Sequence, residues 1–452
     1  MSKTIIANEA ISLLCKELQD NNYINISDYA KYGVKRGLRN ADGTGVMAGL
    51  TKICSVEGYY VDDGEKVAKD GRLYYRGINV NDIVNACAAE NRFGYEEVIW
   101  LLLFGSLPTA NQLERFHSKL SAMRELPESF IEDMIMKAPS PNIMNKIARA
   151  VLALYTYDDN PDDTSIENVL NQSLRLIAQL PSIMSYAYQV KRRHYYHKSM
   201  YIHPAIPEQH TAEVILNSIR SDKKFTDAEA KLLDTCLILH AEHGGGNNST
   251  FATRVLSSSG TDTYAAIAAG VGSLKGPKHG GANIKVAEMI DFFKENCSDI
   301  TNEGQVADYI TKIMKKEGGD GSGLVYGMGH AVYTLSDPRA VILRDKAAEF
   351  VKGTEFEAEL KLLTLIESLT PELFASVTGK KKYMCANLDL YSGLVYKILR
   401  IPEDLYTPLF ATARMAGWCA HRIEELYTGS RIIRPAYKSL SAHIDYVPIA
   451  KR

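Results

Sequence analysis

The chain has 452 residues, above the size at which one hydrophobic core stops growing, so about two domains are expected. Apolar residues make up 46% and charged residues 23%, ordinary globular values, and a net charge of −2 gives no global attraction for nucleic acid or an acidic membrane. The seven cysteines are scattered, odd in number and without a CxxC pair, which argues against a disulfide framework or zinc knuckle and for a reducing, cytoplasmic setting.

The N-terminal MSKTIIANEAISLLCKELQD is amphipathic, but it carries acidic residues, no arginine and no long apolar segment, so neither a secretory nor a mitochondrial signal is read there. Strand-forming residues concentrate at 52–77, in ICSVEGYYV and RLYYRGI, with Asp63-Gly64 and Asp70-Gly71 both expected to be turns. The apolar run VIWLLLF at 98–104 is far too short to span a bilayer. Most of the remainder reads as helix. Thr109-x-x-Gln112, after Pro108, and Thr226-x-x-Glu229 are capping-box starts. The second opens a helix with Leu233, Cys236, Leu237 and His240 on one face, stopped by Gly244-Gly245-Gly246. DDNPDDTS at 158–165 reads as a surface loop, and residues 264–275 as a helix small enough for close packing. Pro408 is expected at the first position of a helix running to about Tyr427. The fold class is therefore all-α with a minor β-hairpin near the N-terminus. No GxGxxG follows a strand and no GxxxxGK[ST] occurs, so nucleotide-binding Rossmann and P-loop readings lack support.

Three segments hold a polar residue beside glycines or other small residues, where a ligand can approach closely: GPKHGGAN around His279, GMGHAVYTLSDPR around His330, and ANLDLYSG around Asp389. Together they suggest an acid/base constellation assembled by folding. Glycine and proline break the helix before His279, placing it near the start of the next one, where a neutral ring that donates a hydrogen bond is favoured; a surface loop histidine fits the local sequence equally. Arg339 follows His330 by nine residues and offers a planar fork for a carboxylate, although a surface ion pair is the usual fate of an arginine. The apolar neighbours of Asp389 would raise its pKa and suit it to a general base; taken alone, it also reads as a helix N-cap. Arg414 lies in LFATARMAGWCAH among apolar residues and needs an anionic partner. His240 and His243 share a helix face at a spacing that could chelate zinc, but no third ligand is near in sequence, a buried hydrogen-bonded His240 is the commoner outcome, and no metal is expected. The four glycines at 318, 319, 321 and 323 fit a hinge, a backbone approach to a ligand or a flexible loop.

HAEHGGGN, GPKHGGAN, GMGHAVY with the following DPR, NLDLYSG and the late arginines occur in the order and approximate spacing of the citrate synthase family, and DGRLYYRG and EEVIWLLLFGSLPT also resemble it. The resemblance covers roughly residues 45–435; each motif alone is weak, but five in order are specific. It implies a two-domain, almost all-α homodimer. Residues 1–280 and 401–452 would form the large domain, and residues 281–400 a small domain closing over oxaloacetate and acetyl-CoA.

By matching position, Asp389 is the expected base, His279 the donor to the thioester oxygen, and His330 the residue that polarises the oxaloacetate carbonyl. His243, Arg339 and Arg414 are expected to hold the oxaloacetate carboxylates, with Arg434 supplied by the partner subunit. Lys278, Leu324, Gly327, Gly329, Lys381 and Lys382 are the expected CoA contacts. Many family members carry a basic residue four positions after the second catalytic histidine, where it meets CoA phosphates; here that position is Thr334. No metal or redox cofactor is implied. The nearest alternative is 2-methylcitrate synthase, which uses propionyl-CoA with the same machinery. A catalytically silent dimer binding a dicarboxylate or CoA, and a zinc hydrolase, are alternatives of other classes.

Overall fold

The computed structural model describes residues 11, 14, 15, 18, 23–429 and 431–452, so most of the N-terminal amphipathic stretch lies outside the described residues. Two compact units are present: residues 1–50 with 61–66, and residues 51–60 with 67–452. In the first, helix α1 (Ile26–Lys31) is capped by the side chain of Asn25, which accepts from the backbone N–H of Ser27, and it buries none of its residues. Asp63 and Gly64 both have positive φ (46° and 83°), the backbone of a tight turn, as expected of an Asp-Gly pair.

Strands β1 (Cys54–Asp62), β2 (Glu65–Tyr75) and β3 (Ile78–Asn79) form a three-stranded sheet in that order, with β2 and β3 antiparallel in the register Tyr74↔Asn79 and Tyr75↔Ile78. The second expected turn is corrected: Asp70-Gly71 lies inside β2. Gly71 is needed there for space, since a Cβ would fall 2.1 Å from the carbonyl oxygen of Ser336. Gly58 on β1 serves likewise, with a virtual Cβ 2.5 Å from the Tyr333 Cα. The two glycines let the strands press onto the loop at 332–336.

The helices that follow are α2 (Val80–Ala89), α3 (Tyr95–Phe104), α4 (Ala110–Ala122), α5 (Ile143–Leu154), α6 (Ile166–Tyr196), α7 (Thr211–Ile219) and α8 (Asp227–His240). Then come α9 (Asn248–Ser257), α10 (Thr263–Lys275), α11 (Ala282–Asn296), α12 (Glu303–Met314), α13 (Pro338–Val351), α14 (Glu357–Thr378), α15 (Leu388–Ile398) and α16 (Tyr406–Tyr427). The fold is all-α with a minor sheet, as expected. Both capping boxes form, at Thr109 with Gln112 and at Thr226 with Glu229. On α8, Leu233, Cys236, Leu237 and His240 are buried, and the helix stops at His240, before the glycine run. The polar loop at 158–165 ends in Ser165, the N-cap of α6.

Helix α16 begins at Tyr406, two residues before Pro408, and ends at Tyr427. It is the core helix: Tyr406 to Arg422 are buried apart from Phe410, and it packs on α3, α6, α8, α9 and α10. Elsewhere α11 and α13 pack on α15, and α12 on α14. Packing on α16 brings segments far apart in sequence to one place. Among the described residues no helix is long and apolar enough to cross a membrane.

Gly71→Ala tests the reassignment of that glycine. The strand backbone tolerates alanine, but the added methyl meets the Ser336 carbonyl. A loss of about 1–3 kcal/mol is expected in urea unfolding, the usual cost of overpacking, whereas an exposed turn would lose less and Gly71→Asn would then rescue it.

Candidate active site

The site is built on Arg414. Its side chain projects from α16 and is 0% exposed. Nε donates to the backbone carbonyl of His240 (2.7 Å), the guanidinium lies 4.8 Å from the Phe410 ring centroid, and its two terminal nitrogens, both inaccessible, have no hydrogen-bond partner among the described residues. Burial lowers its pKa, and Glu242 pulls it back upward. A buried cation with two unsatisfied donor groups is a receptor for a carboxylate.

Three histidines lie in its field. Burial, then the positive charges of Arg339 and Arg414, hold His243 well below the usual histidine pKa. Burial and Arg414 also lower His240 and His279, the latter to about 4. All three rings are neutral near pH 7. His243 Nε2 lies 3.2 Å from the Tyr333 hydroxyl, and its ring meets that of His330 edge-on at 5.2 Å. The His330 ring stacks on Tyr333 at 4.5 Å, and its Nδ1 accepts from the backbone N–H groups of Val332 and Tyr333, each at 3.0 Å. With Nδ1 an acceptor, a neutral His330 carries its proton on Nε2, the form that donates to a carbonyl oxygen.

His279 sits in the turn between α10 and α11, three residues before α11 begins. Gly280 keeps this turn tight, since a Cβ there would come 2.1 Å from the Leu274 carbonyl oxygen. His279 Nε2 is 3.1 Å from Ser249 Oγ, which accepts from Trp418 Nε1 (3.2 Å) and donates its single proton to Asn247 Oδ1 (2.8 Å). Turned to Nε2 instead, that proton would make His279 an Nδ1–H donor.

Asp389 is the second residue of α15. The N-cap is Asn387, whose side chain accepts from the Asp389 N–H (3.0 Å), so the capping alternative for Asp389 is set aside. Burial raises the Asp389 pKa to about 6, against the pull of Arg339. Asn387 also ties this helix start to the His330 loop: its Nδ2 donates to the Gly329 carbonyl (2.9 Å), its N–H to that of Gly327 (2.9 Å), and Gly329 N–H to that of Cys385 (2.7 Å). Gly327 and Gly329 hold φ of 82° and 90°, which L side chains rarely adopt. Arg339, second in α13, is buried and gripped by Asp337 through Nε (3.0 Å) and a terminal nitrogen (2.8 Å). Burial alone would lower its pKa, and Asp337 more than offsets that.

The arrangement holds a base poised near neutrality, neutral donors and a buried cation for a carboxylate. Such a set can remove a weakly acidic C–H proton and polarise a second carbonyl. The family model for the citrate synthase C-terminal domain matches residues 39–436.

This chain belongs to the citrate synthase family.

It is 31% identical to a citrate synthase of Synechocystis over 90% of this chain and 92% of that one, and 32% identical to 2-methylcitrate synthase 1 of Corynebacterium glutamicum over 93% and 98%. A solved ternary complex of citrate synthase from Thermoplasma acidophilum with carboxymethyl coenzyme A and oxaloacetate matches with TM-score 0.73 and 27% identity, covering 92% of this chain and 99% of that one. The chain is accordingly an enzyme of the citrate synthase family.

Of the residues singled out from sequence, His243, His279, His330, Arg339, Asp389 and Arg414 are linked by ring contacts or by the effect of one charge on another. Arg434 is outside this buried group, exposed on the segment after α16. Lys278, Leu324, Lys381 and Lys382 are also exposed. His240 Nε2 is taken by the Tyr396 hydroxyl (2.5 Å) and its ring stacks on Phe410, the buried hydrogen-bonded state expected of it. Thr334 is buried, donating to the Gly58 carbonyl and accepting from Lys69 N–H (3.3 Å), so this position fastens the sheet. Tyr333 and Asp337 were not singled out, although the motif contains both; nothing in a linear string marks a tyrosine that bridges two histidines. Glu242 was also missed: it accepts from His421 Nε2 (3.0 Å) and Gly244 N–H (2.6 Å).

The raised Asp389 pKa carries a stability cost. The folded state holds a proton on Asp389 that the unfolded chain has lost between about pH 4 and 6, so stability from this group falls as pH rises through that window and stays lower above it. Asp389→Asn is expected to raise Tm at pH 7.5 relative to pH 4.5, by the equivalent of about 1–3 kcal/mol. An equal shift at both pH values in calorimetry contradicts this.

Proposed function

We propose that this enzyme is a citrate synthase, condensing acetyl-CoA with oxaloacetate and hydrolysing citryl-CoA to citrate and CoA. The observation that carries the reading is the buried Arg414 guanidinium, with two unpartnered nitrogens, beside neutral histidines. It asks for a small carboxylate that sits next to a polarised carbonyl. Oxaloacetate meets that demand, with His243 and Arg339 as further contacts and Arg434 of the partner subunit completing the carboxylate site in a homodimer.

Asp389 removes a methyl proton from acetyl-CoA, and His279 donates to the thioester oxygen as the enol forms. The enol carbon attacks the oxaloacetate carbonyl while the His330 Nε2–H polarises it and protonates the alkoxide. Water then cleaves the thioester of citryl-CoA, releasing CoA. A base alone supplies about 10²–10⁴-fold and each aimed donor about 10²–10³-fold, so the set acts together. Asp389 takes up the methyl proton and His330 delivers the alkoxide proton, the proton that water loses in the hydrolysis goes to the CoA sulfur, and return of the Asp389 proton to His330 resets the site; the reaction calls for no cofactor beyond its substrates.

Residues 281–400 form the domain that closes over the substrates, a reading supported by the mutual packing of α11, α13 and α15 and of α12 and α14. CoA lies along the glycine loop: Leu324, 58% exposed, lines a cleft with Lys285, Asp320 and Tyr326. Gly327 and Gly329 supply the backbone, and Lys278, Lys381 and Lys382 the positive charge that Thr334 does not provide. The cytoplasm suits a chain with seven free cysteines, five of them buried. A second reading, 2-methylcitrate synthase, draws on relatives of that name at 32% and 30% identity. One methylene changes binding by only about 1–3 kcal/mol.

The deciding experiment follows CoA thiol release with oxaloacetate and either acetyl-CoA or propionyl-CoA. Higher kcat/KM with acetyl-CoA is expected; preference for propionyl-CoA moves the assignment to methylcitrate synthesis, and no release from either sinks both. Asp389→Ala should lose at least about 10²–10⁴ in kcat, and Arg414→Gln about 10²-fold or more in kcat/KM for oxaloacetate. Activity should fall on the acid side with an apparent pKa near the Asp389 value of about 6, because the base must be ionised while His279, at about 4, stays neutral. A profile flat from pH 8 to pH 5 would show that another group is the base.

A further inference from the structure

The N-terminal half contains a cluster that the reaction does not use. Glu96 in the first turn of α3, His117 in α4 and His210, the residue before α7, each present one ligand atom, and these atoms lie within 4.8 Å of one another. We propose that Glu96, His117 and His210 form a structural zinc site that shares no residue with the cluster around Arg414.

The donor set suits the ion. Zinc takes imidazole nitrogen at about 2.0–2.1 Å and carboxylate oxygen at about 2.0–2.2 Å in a tetrahedron, which sets ligand atoms about 3.3–3.5 Å apart. Glu96 Oε2 and His210 Nδ1 already stand 3.3 Å apart. The His117 and His210 rings are 4.4 Å apart at 43°. Among the described residues His117 Nδ1 is inaccessible and has no hydrogen-bond partner, so as the unprotonated nitrogen of a neutral ring it would offer its lone pair to an ion.

The surroundings support ligation as well. Glu96 is 2% exposed, and its other oxygen accepts from the backbone N–H and the hydroxyl of Thr211, each at 2.8 Å. His210 is fixed by stacking on Phe93 at 4.4 Å and by its N–H bond to Glu213. Its side chain is 33% exposed, which gives an ion a way in and leaves a fourth position for water. Of the neighbouring charges, Arg124 opposes a cation, while Asp234 and Glu213 favour one. The ion would clamp α3, α4 and the entry to α7.

The test uses the full-length dialysed protein after chelator treatment. Calorimetric titration with Zn²⁺, checked by elemental analysis, should give one ion per chain, and Co²⁺ should give the intense visible bands of a tetrahedral site. His117→Gln should weaken Zn²⁺ binding at least tenfold and abolish the rise in Tm on adding Zn²⁺, with thiol-release activity unchanged. Wild-type protein that holds no stoichiometric Zn²⁺, or that gives only the weak spectrum of octahedral Co²⁺, overturns the proposal without any variant. So does undiminished Zn²⁺ binding in a folded His117→Gln protein.

Discussion

Burying the Arg414 guanidinium in the core helix is the constraint on which the rest depends. Moving an unpaired cation into an apolar interior costs several kcal/mol even after relaxation, and among the described residues Arg414 keeps one direct hydrogen bond, to the His240 carbonyl. The protein holds it there by packing α16 among the surrounding helices. Once fixed, the charge reinforces what burial does to its neighbours, because an uncompensated cation disfavours a second one nearby. His240, His243 and His279 are held neutral first by burial and then by nearby positive charge, Arg414 at His240 and His279 and chiefly Arg339 at His243.

Asp389 responds to the same environment in the opposite direction. Low polarity around a carboxylate favours its neutral form, and the attraction of Arg339 only partly counters this, since Asp337 already grips that guanidinium. Asp337 thus does two things: it fixes the orientation of Arg339 and keeps its charge from pulling the base down. Glu242 plays the matching part beneath Arg414, in a recess that exists because residue 417 is glycine; a Cβ there would come 2.1 Å from a Glu242 oxygen. His421 then links Glu242 to Arg254, which pairs with Glu424 and Glu425, so the site is braced by a chain of hydrogen bonds and ion pairs.

Much of this was legible in the sequence. Glycine beside histidine, and arginine in an apolar helix, single out His243, His279, His330 and Arg414, whereas Arg339 and Asp389 read locally as an ion pair and a cap, and the order of the motifs is what joins all six. Helix starts were readable because capping is local: both Thr boxes depend on four consecutive residues. What failed needed distant partners. Asp70-Gly71 looks like a turn, yet its glycine makes room for a carbonyl at Ser336, 265 positions away. Asp389 resembles a cap until Asn387, two residues earlier, is seen to fill that place. Thr334 gives no linear hint that it turns inward to the sheet, and the bridge from His243 through Tyr333 to His330 appears only when the loop folds.

Asn387 joins two tasks in one side chain, holding the first turn of α15 with its oxygen and the His330 loop with its nitrogen. The aspartate and the loop histidine are therefore tied through one side chain, and a shift of either segment pulls on the other. His279 is anchored separately, in the short turn between α10 and α11 that the Thr407 hydroxyl latches to the Gly280 carbonyl (2.8 Å), so a substitution in that turn would leave the tie between Asp389 and the His330 loop untouched.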